Sequence, residues 1–416
     1  MGIIATTKTL CCNPSYIKQE TKLNITDYNN IIDEQQKNQN ITLIQSYFRG
    51  YQIRKLYKMT PIEKKNLCQE IPFSYSTQKY DSNEKILKLR SLLPKFELTE
   101  KERFEIESNS YKKIALLYFD NSIYKGYVNN KNLRYGYGVL YYPSLTIYEG
   151  FFKNNKMEGR GRLYCIDGYL YGDFHDNFFF GFGKLISLDG GFYRGNWEND
   201  KQNGYGEETY IDGSMYNGFY FNGKKRGNGK FIWKNGNYYE GEFYEDEITG
   251  IGTYYWKDGR IYYGHWIKHK MEGIGIFIWP DMKMYIGNYK NDVKNGFGVF
   301  FAINNKKYEG FWKDGKQHGK GVVTNSLQKK IYMEYFEGKK IRIINDNEEI
   351  KNIDLDIIKN KNIIDVDKYL EYSNELIKKI KKESIKDNNS EISNGINSNS
   401  HDNFLMKWKL FFFCKK

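Results

Sequence analysis

From Tyr124 to Gly321 the chain sets aromatic or glycine positions against polar ones at every second residue, and this alternation restarts about every 23 residues. In Tyr239-Glu240-Gly241-Glu242-Phe243, period-2 geometry puts Tyr239, Gly241 and Phe243 on one face and Glu240 and Glu242 on the other. A polar turn follows, then Gly250-Ile251-Gly252-Thr253-Tyr254-Tyr255-Trp256, where Gly250, Gly252, Tyr254 and Trp256 share a face. Asp258-Gly259 ends the unit with turn chemistry suited to positive φ, as Asp212-Gly213 and Asn235-Gly236 do in theirs. Each unit therefore predicts a two-stranded hairpin, and nine units predict one antiparallel meander.

The glycine after the opening aromatic recurs at Gly126, Gly150, Gly172, Gly195, Gly218, Gly241, Gly264, Gly287 and Gly310, and a Gly-x-Gly pair trails each one. Three per copy in nine copies take up 27 of the 39 glycines, so few are left to mark a phosphate loop. Glycine weakens a strand unless something uses the vacancy, and a ring from a neighbouring position can lie over bare backbone. At about 4.8 Å per strand, the expected product is an elongated, single-layer, mainly β ribbon roughly 85 Å long. Its aromatic ridge is expected to grip partners through Tyr193, Trp197, Tyr216, Trp233, Tyr239, Phe243, Trp256, Tyr262, Trp266 and Trp279.

The phrase Tyr-x-Gly-x-(Phe/Trp), then Gly-x-Gly, then an aromatic before Asp/Asn-Gly resembles the MORN repeat (membrane occupation and recognition nexus). The copies opening at Tyr193, Tyr216, Tyr239 and Tyr262 meet it closely. The third copy departs, with Leu170 for the opening tyrosine and Ser187 for the closing aromatic. Ala302 and Asn325 replace that closing aromatic in the last two copies. Ile114–Asn121 and Tyr332–Phe336 read as half-repeats capping the two ends. The resemblance implies binding arrays rather than enzymes: cortical scaffolds, ciliary spoke proteins, membrane-junction proteins and regulators of lipid kinases.

Before the array, Ile44-Gln45-Ser46-Tyr47-Phe48-Arg49-Gly50-Tyr51-Gln52-Ile53-Arg54-Lys55-Leu56-Tyr57 fills every position of an IQ pattern. It resembles the helices held by calmodulin and myosin light chains. Ile44, Phe48, Tyr51 and Leu56 offer apolar anchors, Arg49 and Arg54 suit an acidic rim, Gln45 can bond backbone, and Gly50 admits close approach. The chain opens Met1-Gly2, with Thr6 where a myristoylation signal needs Ser or Thr, and Cys11 and Cys12 stand ready for palmitoylation. One acyl chain binds a bilayer only marginally, so the second signal matters.

The organisation expected is an acylated leader (1–39), an IQ helix (40–60), a helical connector (61–113), the repeat array (114–338) and a C-terminal segment (339–386). A disordered Asn/Ser-rich spacer (387–403) and an aromatic-basic tail (404–416) follow. The connector carries a helix over Glu84–Leu93, and the C-terminal segment an amphipathic helix over Asp365–Lys386, expected to lie along the aromatic ridge.

Of the 416 residues, neither flank is long enough for a large catalytic domain, and the net charge is +13. That charge suits anionic lipid, but no zinc-finger spacing or basic helix-turn-helix pattern accompanies it, so nucleic acid is not expected. Five cysteines make no disulfide framework, and no apolar run reaches the roughly 18–20 residues that cross a bilayer. His265 and His269 straddle a strand end and a turn, which does not suit zinc. The reading is a non-enzymatic, cofactor-free scaffold on the cytoplasmic face of the plasma membrane or an underlying membrane, with cortical cytoskeletal partners or a homodimer mate. The alternative is a phosphoinositide-binding module that activates a separate lipid kinase.

Overall fold

The computed structural model describes residues 68–118 and 120–378. Twenty-two strands form one open antiparallel sheet in which neighbours in space are neighbours in sequence. It runs from β1 (Cys68–Ile71) and β2 (Lys112–Tyr118) to β21 (Lys330–Phe336) and β22 (Lys339–Ile343). Each repeat contributes two strands, as the alternation requires. The expected half-repeats are β2 and β21, and β1 and β22 extend the sheet beyond them. Four helices with defined ends flank the strands: α1 (Gln78–Asp81), α2 (Glu84–Ser91), α3 (Glu100–Ser108) and α4 (Asn347–Ile364). A further helical run covers 366–378. The described chain divides into two compact units, 68–234 with Tyr244–Asp246, and Asn235–Phe243 with 247–378.

One arrangement recurs in eight of the nine copies. The opening tyrosine lies flat over its own glycine and over the glycine facing it on the next strand. Gly264 faces Gly275 in the register, and a Cβ on Gly264 would stand 2.6 Å from both the Gly275 Cα and the Tyr262 Oη. No side chain fits there. The tyrosine hydroxyl donates to the carbonyl three residues on, at 2.7–3.2 Å from Tyr124 through Tyr308. Burial pushes the Tyr148 and Tyr285 phenols far above their ordinary range, so they remain donors at any physiological pH. In the third copy, where Leu170 replaces the tyrosine, the Phe179 ring from the following strand covers Gly172 and Gly183 instead.

The aromatic four residues later meets the tyrosine edge-on, and the contacts continue from copy to copy. In the first unit the rings run Tyr124, Phe152, Tyr148, Phe174, Phe179, Trp197, Tyr193, Tyr220, Tyr216, with centroids 5.0–5.4 Å apart. In the second, Phe243, Tyr239, Trp266, Tyr262, Tyr289, Tyr285, Trp312, Tyr308 and Tyr335 follow at 5.1–5.7 Å with planes 82–89° apart. Edge-to-face pairing is the arrangement that ring quadrupoles favour. The indoles add a bond each: Trp197, Trp266 and Trp312 donate Nε1–H to the Gly183, Gly252 and Gly298 carbonyls.

The short turns join one hairpin to the previous one. Asn155, Asn177, Asp200, Asp246 and Asp292 all have positive φ, which suits a two-residue hairpin loop. Each accepts, through Oδ1, the backbone N–H of a residue 20 or 21 positions earlier: Arg134, Met157, Phe179, Lys225 and Met271, at 2.7–2.9 Å. The backbone N–H of the same turn residue donates back, to the Met271 carbonyl in the case of Asp292. His269 fills the role with Nδ1 accepting from Ile248 N–H, while His265 turns to the Ile274 carbonyl, so the two histidines do not converge.

Gly264→Ala should lower unfolding free energy by about 2–4 kcal/mol, because the methyl has no space that a small shift could open. Denaturant melts check this, and an unchanged midpoint would remove the ring-on-glycine account. A second test uses pH. Burial pushes the Asp292 carboxyl up to about 6. A carboxyl raised on folding binds its proton more readily folded than unfolded. The fold therefore gains stability as pH falls through 6 toward the unfolded value of about 4. Asp292→Asn keeps the acceptor, as Asn155 and Asn177 show, and removes the charge. Its melting temperature should exceed the parent's at about pH 7.5, and the gap should narrow below about pH 6 and close only at about pH 4; a gap of constant size contradicts the assignment.

Candidate partner-binding face

The ring ladder occupies one face of the sheet, and the expected partner-gripping residues are part of it. Tyr193, Trp197, Tyr216, Trp233, Tyr239, Phe243, Tyr262 and Trp266 are all buried, and Tyr216, Tyr239 and Tyr262 expose nothing measurable. Trp256 and Trp279 are half-buried. Trp256 packs on Tyr254 and Phe277, with the Arg260 guanidinium over its ring. Trp279 shares the Lys294 ammonium with Tyr285, Phe300 and Trp312, all within 4.7–5.2 Å. Each ring has spent its faces and edges on glycine, on a neighbour or on an internal cation. The ridge is the core of a one-layer sheet and leaves little ring surface for a partner.

The opposite face carries the residues between those of the ladder, and helices cover parts of it. In the first unit, Tyr80 of α1 and Ile86 and Leu89 of α2 pack on Ile123, Tyr141, Ile147, Tyr164 and Tyr169. The Asn83 side chain caps α2 by accepting from Ile86 N–H. Nearby, Thr99 and Glu102 form a capping box that starts α3, and Glu102 pairs with Arg160 of the sheet at 2.7 Å.

In the second unit α4 and the 366–378 helix lie on Ile276, Ile278, Ile286, Val299 and Val322 through Ile353, Ile357, Val366 and Leu376. Tyr372 stacks on Tyr263 at 3.8 Å. The C-terminal helix therefore packs on the array as expected, but on the face opposite the ridge. The physical reason is that the ridge covers itself, whereas the Ile- and Val-rich face does not.

Part of this opposite face in the first unit carries no helix among the described residues. It spans β8 (Phe178–Ser187), β9 (Phe192–Glu198), β10 (Lys201–Thr209), β11 (Met215–Phe221) and β12 (Lys224–Ile232). Here Phe180, Phe182, Tyr205, Phe219 and Phe221 are each 46–59% exposed, as is Tyr244 at the end of the following strand. Tyr205 and Phe219 face each other across β10 and β11 with rings 5.6 Å apart. Arg226 lies over both Phe221 and Tyr244, at 4.8 and 5.2 Å. One step along the strands, the register aligns Lys184, Arg194, Glu207, Asn217 and Lys230 in a row across β8–β12. Arg194 and Glu207 pair at 2.6 Å and stay substantially exposed. A contiguous exposed set of large rings beside a charged row is the mark of an interaction surface.

Among the described residues no cluster of three or more His, Cys, Asp or Glu side chains is placed to hold a metal ion. Cys165 is half-buried, and desolvation pushes its thiol up to about 12, which disfavours the reactive thiolate. The lipidation residues Gly2, Cys11 and Cys12, and the IQ residues Ile44, Gln45, Phe48, Arg49, Gly50, Tyr51, Arg54 and Tyr57, lie outside the described residues. So do the spacer and the tail.

Comparison with known families agrees with the repeat geometry. The MORN repeat family matches residues 148–168, 171–192, 193–215, 216–238, 239–259, 262–281, 285–306 and 308–325. The IQ calmodulin-binding motif matches residues 38–58. These are binding modules, and they fit a scaffold or adaptor role. No curated protein matches the chain. Among solved structures, the TCP10 domain of Danio rerio CPAP in complex with a peptide of Danio rerio STIL is 8% identical and covers 57% of this chain and 98% of its own, with a TM-score of 0.28. The SAS-4 (dCPAP) TCP domain of Drosophila melanogaster, in complex with a proline-rich motif of Ana2 (dSTIL), is 16% identical over 40% of this chain and 90% of that one, with a TM-score of 0.22. Likeness at this level bears on neither the site nor its partners.

The two faces should respond differently to truncation. Trp197→Ala should cost about 3–5 kcal/mol by opening the ladder. Phe219→Ser should shift stability by less than about 1 kcal/mol, since its ring is half in water already. Equal losses in paired denaturation curves would contradict the division into core face and contact face.

Proposed function

We propose that this chain is a membrane-tethered adaptor. Acylation at Gly2, reinforced at Cys11 and Cys12, holds it on the cytoplasmic face of the plasma membrane or an underlying membrane. The IQ segment recruits a calmodulin-like protein or a myosin light chain, with Ile44, Phe48 and Tyr51 entering the partner's groove and Arg49 and Arg54 meeting its acidic rim. The exposed rings of the opposite sheet face dock further partners, cytoskeletal proteins of the cell cortex or a second copy of the chain. The observation that carries the reading is the IQ match joined to a repeat array that gathers half-exposed rings on one open band of the first unit.

The phosphoinositide alternative draws on the +13 charge. Many of the sheet's cations, however, are engaged locally: Lys156 with Asp176, Lys224 with Glu245, Lys307 with Glu309 and Lys330 with Asp354. The open band is aromatic rather than a cradle of converging lysines. Protein docking is the better supported of the two.

Two measurements test the tether and the recruiter separately. Gly2→Ala should move most of the protein from floating membranes to the soluble fraction; undiminished flotation would favour lipid binding by the array itself. Ile44→Ala with Arg49→Ala should abolish capture on calmodulin resin at about tenfold the wild-type dissociation constant or more. Retained capture in both calcium and chelator would remove the IQ half of the reading.

A further inference from the structure

We infer that the open band of β8–β12 receives an amphipathic α-helix laid across the strands, with acidic residues flanking its apolar stripe. The inference rests on the adaptor reading and names the chemistry of its partner. Three observations carry it. The first is what the molecule does with the same face elsewhere: in the second unit it is covered by α4 and the 366–378 helix.

The way α4 lies there sets the geometry. Its Glu349 pairs with Arg342 of β22, its Asp354 with Lys330 of β21, and its Lys361 with Glu309 of β19 (Lys307–Lys313). From Glu349 to Lys361 the contacts move from β22 toward β19, so the helix crosses the strands. A helical turn rises about 5.4 Å and strands lie about 4.8 Å apart, so one side chain per turn meets one strand. The exposed rings Phe182, Tyr205 and Phe219 have this cross-strand disposition on β8, β10 and β11.

The second observation is the sign of the charge. Where α4 meets the sheet, its carboxylates Glu349 and Asp354 meet the sheet cations Lys320, Arg342 and Lys330 at 2.6–3.3 Å, against one pair of the opposite sense, Lys361 with Glu309. In the first unit the helix carboxylate Glu102 likewise meets the sheet cation Arg160. The third observation is the row beside the open rings. Over β8–β10 it holds Lys184 and Arg194 against the single carboxylate Glu207, an excess of one positive charge. An incoming helix that follows the internal precedent therefore brings Glu or Asp on that flank. The same excess disfavours the chain's own IQ segment, whose flanks carry Arg49, Arg54 and Lys55.

Two synthetic 16-residue helical peptides test this against the full chain by fluorescence anisotropy. They share one leucine stripe at i, i+3, i+4 and i+7 spacing and differ only in Glu or Lys at the flanking positions. The Glu peptide should bind at least about tenfold more tightly than the Lys peptide. Phe182→Ser with Phe219→Ser should weaken it by about tenfold, with circular dichroism confirming an intact sheet. Lys184→Glu with Arg194→Glu should invert the preference between the peptides.

Equal binding of the two peptides, or binding indifferent to the ring substitutions, overturns the proposal. So does binding that appears only after calmodulin is added, because the band would then be occupied by the chain's own IQ segment. Calmodulin capture is read in the same samples, so that losing peptide binding while capture persists defeats this inference and leaves the recruiting role standing.

Discussion

A phenol ring resting on bare backbone organises this molecule. Each opening tyrosine needs two glycines facing each other across adjacent strands, and the glycines need the ring to shield their peptide groups from water. Neither half is useful alone: a strand pair with glycines at its centre is weak, and a tyrosine without the slot has no place to lie flat. Joined, they produce a buried side chain within a single layer of sheet, something that ordinarily takes a second layer. Phe179 shows that the requirement is for a ring over the gap and not for a particular residue, since it reaches Gly172 and Gly183 from the neighbouring strand when Leu170 cannot.

The division of labour between the two faces follows. Because the ladder is complete in itself, its face needs no lid, and no described helix is placed by the core clusters against it. The intervening residues have no such closure. Where they are Ile, Val and Tyr they are sealed by helices, and where they are Phe, Tyr, Asn, Lys and Arg they stand open. The difference between a structural stretch and a contact stretch is thus made by the residues between the motif positions, which the motif itself leaves free to vary.

Much of the architecture was legible from the chain alone. Alternation, the 23-residue period and the Asp-Gly turns suffice for an antiparallel meander, and the half-repeats at either end fall where β2 and β21 lie. The site was less legible. Counting rings singles out Trp197 and Tyr239, but sequence cannot show that the next copy's ring takes up their edges. The signals for α3 and α4 are in the chain: the Thr99 and Glu102 capping box, and Asp346 as cap with Ile353, Ile357 and Ile364 spaced along one helical face. Which stretch of the opposite face α4 would cover depends on contacts between Ile353 and strands some seventy residues earlier, and no local pattern carries that.

The turn staples have a kinetic consequence. An Asx side chain reaching back 20 or 21 residues and a strand paired with its immediate predecessor keep nearly all sheet contacts close in sequence. Sheets usually form slowly because distant segments must first find one another, and this one has little of that search. It can begin at any hairpin and lengthen one hairpin at a time, each newcomer docking on an edge already formed. Growth from a ribosome is then a natural order of assembly, with every completed hairpin serving as template for the one still emerging.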